Sequence, residues 1–141
     1  VSVLASIVQK ESSKADEQPI VAGLYLNRLN LGMKLQSDPT VIYAMKEKDG
    51  FDIVVKRVLK KDLKINSPYN TYYYKGLPPN PICIPEMSSL LSVLNYKKHD
   101  YVYMCAKEDF SGYHNFTNSW PEHKRNAKRF QNALSAQGVM R

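Results

Sequence analysis

The sequence predicts an α+β fold, with several short helices packed on a small sheet. Three observations carry that reading. Apolar residues recur at helical spacing in several separate stretches, a proline-rich segment from 66 to 85 interrupts them, and an alternating apolar run after residue 100 leads through a turn into a second strand. At 141 residues the chain has the length of one domain, 1–141, and can bury roughly two-thirds of the surface its unfolded form exposes, so the core needs no metal or disulfide staple.

Leu4, Ile7 and Val8 mark the inner face of a first helix that runs to Glu11. Asp16 can cap a second, with Pro19 tolerated in its first turn and Val21, Leu24, Tyr25 and Leu29 as its buried side, and Gly32 stops it. From Leu35 to Met45 the chain reads as a loop broken at Asp38-Pro39 and followed by a short apolar segment of either type. Phe51, Val54, Val55, Val58 and Leu59 then give a third helix, with Lys56, Arg57, Lys60 and Lys61 toward water. Residues 66–85 hold five of the eight prolines, which excludes a helix and predicts a long structured loop or edge strand. Pro85 opens a fourth helix whose stripe is Met87, Leu90, Leu91 and Leu94, ending near Asn95. Asp100 to Ala106, apolar on both faces, reads as a central strand. Asp109 to Gly112 turns the chain into Tyr113–Thr117. Ser119 and Glu122 match a capping box, with Pro121 in the first turn of a last helix running toward Gly138.

With 43% hydrophobic and 23% charged residues, the composition is that of a globular domain and excludes disorder and low complexity. The longest uninterrupted apolar run, Tyr101 to Ala106, is far short of the ~20 residues a membrane helix needs, and no signal segment opens the chain. A start at Val1, inside a helix and without an initiator Met, points to a fragment of something longer. The net charge of +7 and the 10 tyrosines suit a single-stranded nucleic acid or, equally, an anionic cell envelope. Cys83 and Cys105 have neither zinc-site nor disulfide-framework spacing and read as buried thiols. His99, His114 and His123 form no HExxH pair, and neither a GxSxG elbow nor a glycine-rich phosphate loop is present, so no metal or cofactor is expected.

Glu11 is the residue in an unusual place. Following Ile7 by four and Val8 by three, it projects from the apolar face of its helix, where an unpaired carboxylate would be pushed toward the protonated form a general acid needs. A salt bridge, or exposure where the helix ends, would equally explain it. Asp16, Glu17 and Asp38 look like caps or turn residues. His114 can touch a substrate or simply sit satisfied in the sheet. The run Tyr69 to Tyr74 beside its proline-rich wall can stack on bases or sugar rings, or pack as core.

Five ordered blocks carry a resemblance over nearly the whole chain: LASIVQKE ending in Glu11, Val21 to Ala44, Ser67 to Pro85, Leu94 to Ala106 and His114 to His123. In them the chain resembles the catalytic domain of the MltG (YceG-like) family of endolytic murein transglycosylases. The resemblance implies a lysozyme-like site, with a helix-borne catalytic Glu in a cleft, and assigns Glu11 that role. It implies cleavage of the β-1,4 bond between N-acetylmuramic acid and N-acetylglucosamine within peptidoglycan, leaving 1,6-anhydro ends, with one carboxyl acting as acid and then as base. Such chemistry needs no second carboxylate, and the sequence offers no obvious one. By the same resemblance Gln36, Ser37, Tyr69, Asn70, Tyr72 and His114 are expected to bind substrate. The expected partners are peptidoglycan strands and enzymes of cell-wall synthesis, not nucleic acid. The expected location is the outer face of the cytoplasmic membrane, held there by an N-terminal anchor that precedes a LysM-like domain and is absent from this sequence. A lysozyme-like hydrolase and a non-catalytic glycan-binding module are the alternatives. Lys124 departs from a frequent Asn, and residues 46 to 64 match nothing strongly.

Overall fold

The computed structural model describes residues 1–55 and 57–138. Among these, the chain forms α1 (Ser2–Glu11), α2 (Gln18–Asn30), α3 (Asp38–Asp49), a 3₁₀ turn at Lys60–Lys64, α4 (Met87–Leu94), β1 (Tyr103–Ala106), β2 (His114–Thr117) and α5 (Trp120–Ala136). This is α+β with a two-stranded antiparallel sheet. α1 is the hub, packed against α2, α3 and α4, while α5 lies on the β-ribbon. Leu4, Ile7 and Val8 meet Val21, Leu24 and Tyr25 in the core, which Leu35, Ala44, Tyr69, Ile82 and Val93 complete. The strands pair Tyr103 with Thr117 and Met104 with Phe116, and the latter pair packs on that core. Cys83 and Cys105 are free thiols, partly rather than fully buried.

Several elements differ from the sequence expectation, each for a physical reason. The segment after Leu35 becomes α3, because Pro39 sits in its first turn, where a missing N–H costs nothing. Asp16 does not cap α2: Glu17 holds the N-cap position, and Asp16 accepts from the Tyr113 hydroxyl at 3.1 Å. The third predicted helix is absent, residues 53–55 and 57–59 being irregular, and Lys56 lies outside the described residues. Its stripe is only weakly packed, Phe51 being 60% and Val54 82% exposed, and a β-branched run with so little tertiary packing cannot hold a short helix. β1 is not central but half of a ribbon, and it is apolar on both faces because Met104 meets the core while the whole strand lines a cavity.

In α4 only Leu90 of the expected stripe packs on the core, and the buried face is otherwise a different one. Ser89, Ser92 and Val93 are buried, whereas Met87, Leu91 and Leu94 point outward. The Ser89 hydroxyl donates to Gln18 Oε1 at 2.9 Å, so a small polar face can pack closely against α2 without an orphaned group. Periodicity marks a stripe; it does not say which side is inside.

Gly23 in α2 is required by a close approach rather than by conformation. A Cβ there would lie 2.3 Å from the Lys97 carbonyl oxygen and 2.8 Å from His99 Nε2, in a segment pinned by Lys97 N donating to Pro19 O and His99 Nε2 to Ile20 O. Helix propensity alone says Gly23→Ala should stabilise by up to ~1 kcal/mol. The contact says the opposite, and a loss of about 2 kcal/mol is expected by thermal or urea unfolding; an unchanged or raised midpoint would refute it.

Candidate active site

The last residue of α1, Glu11, stands at the floor of an open cavity of about 480 Å³, within the range of small-molecule sites. Ser37, immediately before α3, donates its hydroxyl to Glu11 Oε1 at 2.9 Å. Burial pushes the Glu11 carboxyl up to about 7, the Ser37 bond and the Tyr25 phenol pull it down, and the nearby Asp38 charge pushes it up again. Neither protonation state is rare near neutral pH. That is the property a group needs in order to give a proton and take one back.

Ser37 is positioned in turn by threonines. Its N–H donates to Thr71 Oγ1 at 2.9 Å, Thr40 Oγ1 and Thr71 Oγ1 share a hydrogen bond of 2.8 Å, and Gln36 N donates to Thr71 O at 3.2 Å. Gln36 has φ +53°, a left-handed conformation uncommon for a residue with a Cβ, and is held there by this docking and by Arg28, whose Nη2 donates to Gln36 Oε1 at 3.3 Å. The strain lies beside the acid.

Of the expected substrate-binding residues, Gln36, Tyr72 and His114 line the cavity, and Ser37 reaches it through Glu11. Tyr69 and Asn70 are absent from its lining. Tyr69 is core, its ring 4.7 Å from that of Tyr43. Asn70 is fully buried, donating to the carbonyls of Leu63 and Ile65 at 3.0 and 2.8 Å and accepting from Tyr72 N at 2.9 Å, so it shapes the loop that presents Tyr72. Tyr73 and Tyr74 are part exposed, their rings tilted against each other at 4.9 Å.

The sequence reading missed several cavity residues. Asp38 is a second carboxylate in the same cavity, accepting from Tyr72 Oη at 2.6 Å, and burial with that bond holds the Tyr72 phenol protonated. Its place before a proline disguised it as a turn residue. Arg28 lies one helical turn after Tyr25 on α2, and its Nε donates to Lys34 O at 2.9 Å and its Nη1 to Val102 O, clamping the Gln36 loop to the ribbon. Tyr103, Trp120 and His123 form an aromatic wall, with His123 stacked on Tyr103 at 5.1 Å and Trp120 half exposed. Burial and the Arg28 charge hold the His123 imidazole toward its neutral form.

His114 is oriented by Glu17, a carboxylate only 3% exposed. His114 Nδ1 donates to Glu17 Oε1 at 2.6 Å and its backbone N to Oε2 at 2.8 Å, while Ser12 Oγ donates to Oε1 at 2.9 Å. With Nδ1 engaged, Nε2 is left for the cavity. Among the described residues no cluster of three or more His, Cys, Asp or Glu could hold a metal ion.

Residues 1–129 match the YceG-like family profile. The chain is 41% identical over 128 residues to an endolytic murein transglycosylase of Bacillus subtilis (strain 168), covering 90% of this chain and 33% of the relative. It is 35% identical over 130 residues to the endolytic murein transglycosylase of Streptococcus pneumoniae (strain D39), covering 92% and 23%. The crystal structure of a yceG-like protein from Listeria monocytogenes superimposes with a TM-score of 0.78 at 36% identity, covering 87% of this chain and 38% of that one. The chain thus spans about a third or less of the length of these curated relatives.

Proposed function

The chain belongs to the YceG-like family, and from that premise we propose that it is the catalytic domain of an endolytic lytic transglycosylase acting on peptidoglycan strands, facing outward from the cytoplasmic membrane near the enzymes that extend those strands. The observation that carries this reading is Glu11, a carboxyl raised to about 7 at the floor of its cavity.

Protonated Glu11 gives its proton to the oxygen linking C1 of N-acetylmuramic acid to C4 of N-acetylglucosamine, and the C1–O bond breaks. Glu11, now a carboxylate, takes the proton of the same muramyl residue's C6 hydroxyl as that oxygen bonds to C1, closing the 1,6-anhydro ring. Proton and bond counts balance without water. Ser37 holds the carboxyl in place through both steps. Asp38, with the substrate's own N-acetyl group, balances the positive charge that develops at C1. Gln36 and Tyr72 offer hydrogen bonds to N-acetyl sugars, His114 Nε2 a further one, and Tyr103 with Trp120 a flat face for a ring.

Digesting purified peptidoglycan and weighing the products tests the reading. Anhydro-muramyl ends support it. Asp38 also favours a second reading, a lysozyme-like hydrolase, since a pair of carboxylates can direct water instead; reducing ends, heavier by one water, would select that and sink the first.

The same electrostatics set a pH profile. The first step needs Glu11 protonated, so the rate should fall as pH rises through about 7. Removing the Asp38 charge removes an influence that raises Glu11, so Asp38→Asn should move this alkaline limb to lower pH as well as slow the reaction. A limb that stays put in the variant would show that Asp38 does not act on Glu11.

A further inference from the structure

Adjoining the Glu11 cavity lies a second concavity of about 280 Å³, lined by Ile42, Tyr43, Phe51 and Ile82 together with Lys10 and Lys46. None of its lining residues is acidic. Phe51 packs edge-on against Tyr43 at 5.5 Å yet stays 60% exposed, a large apolar side chain that the fold leaves uncovered. The two hollows share a partition built from successive residues. Lys10 lines one and Glu11 the other at the end of α1, and Pro39 lines one and Asp38 the other at the start of α3. Neighbouring Cα atoms are ~3.8 Å apart, and an extended peptide of three or four residues spans ~10–13 Å, which suffices to pass a helix end ~10–12 Å across.

We propose that this groove binds the acidic stem peptide carried by the muramyl residue whose glycosidic bond is cleaved at Glu11. The inference rests on the transglycosylase reading above and adds a substrate contact to it. The stem joins short apolar side chains to free carboxylates, and the groove offers the complement, an aromatic and aliphatic lining that includes two lysines and no acidic residue. The Cys83 thiol on the same wall, kept protonated by burial, adds no charge against an acidic ligand. A stem seated there would tether its own strand at the Glu11 cavity, a contact made equally before and during the reaction, so it would show in KM rather than kcat.

Two measurements on the 141-residue chain test this. In the first, a synthetic acidic stem tetrapeptide is titrated and followed by NMR. Binding that weakens about tenfold in Lys46→Glu, and also in Phe51→Ser, while persisting in Glu11→Gln, supports the groove. No binding to the wild-type chain, or binding indifferent to both groove substitutions, overturns it. In the second, stem-bearing strands are compared with strands stripped of peptide by an amidase. Lys46→Glu should raise KM about tenfold on stem-bearing strands with kcat unchanged, and change neither value on stripped ones. An equal effect on both substrates, or none on either, also overturns it. Should the wild-type chain cleave neither substrate, the transglycosylase reading fails and the peptide titration still decides whether the groove binds stems.

Discussion

Replacing Glu11 by Gln is expected to cut formation of anhydro ends by at least ~10³-fold, because one group supplies both proton transfers and the amide supplies neither. Strand binding should survive, since the amide oxygen can still accept from Ser37. The same substitution should make the protein more stable, in a pH-dependent way. The folded carboxyl titrates near 7 against 4.5 for the free side chain, so between those values the folded state holds more protons than the unfolded one, and wild-type stability falls as pH rises. The amide has nothing to titrate. The variant should therefore match the wild type near pH 4 and gain over it up to about 3 kcal/mol above pH 7, as read by urea unfolding at the two pH values. Retained activity would remove Glu11 from the mechanism. A gain that did not grow with pH would show that its carboxyl is not raised.

The second large effect lies at a residue outside the cavity lining. Glu17 joins three elements: Ser12 after α1, its own place at the start of α2, and His114 in β2. Glu17→Ala leaves the His114 N–H, the Ser12 hydroxyl and the imidazole without their acceptor in a buried place. A loss of about 3 kcal/mol is expected, or a fall of roughly 10 °C in Tm for a domain of this size. Calorimetry checks it. Glu17→Gln keeps the shape and one acceptor oxygen but turns an NH₂ toward groups that also donate, so its loss should be intermediate. In the surviving protein KM should suffer more than kcat, because His114 loses its orientation while Glu11 is untouched. A Tm within a degree of wild type would show that the three elements hold without this carboxylate.

These expectations also measure what the sequence could reveal. The glutamate was legible because a charged residue at the position of an apolar stripe needs a reason, and burial with a raised carboxyl supplies one. The helices α1 and α2 were legible because their periodicity agrees with what they pack on, and α5 because Ser119 caps it as its motif predicts. Where local signal and tertiary environment parted, the reading went wrong. Phe51 to Leu59 has helical spacing but little to pack against, and most of the outward stripe of α4 looks like an interior one until Ser89 is seen bonded to Gln18. Tyr69 and Asn70 illustrate the same limit within the site. A polar or aromatic residue in a functional loop can touch the ligand or build the loop, and only the Asn70 bonds to Leu63 and Ile65 decide which. Asp38 and Arg28 were hidden because their roles depend on residues far away in the chain, Tyr72 and Val102.

The stretch from residue 70 to α4 is moored at both ends, with Asn80 Nδ2 donating to Tyr69 Oη at 3.3 Å between them. At one end Asn70 and Thr71 tie it beneath Tyr72 and Ser37. At the other, Ile82 N donates to Ser6 Oγ at 3.0 Å and Glu86 N to Gln9 Oε1 at 2.7 Å, both on α1. The helix that carries Glu11 is thus itself one of the mooring posts. Insertions or deletions between residues 74 and 80 would lengthen or shorten a span whose ends do not move, at an entropic cost that grows only slowly with length. The surroundings of Glu11 and the outer part of the loop can therefore vary independently, the first held by its hydrogen bonds and the second tolerant of changes in length.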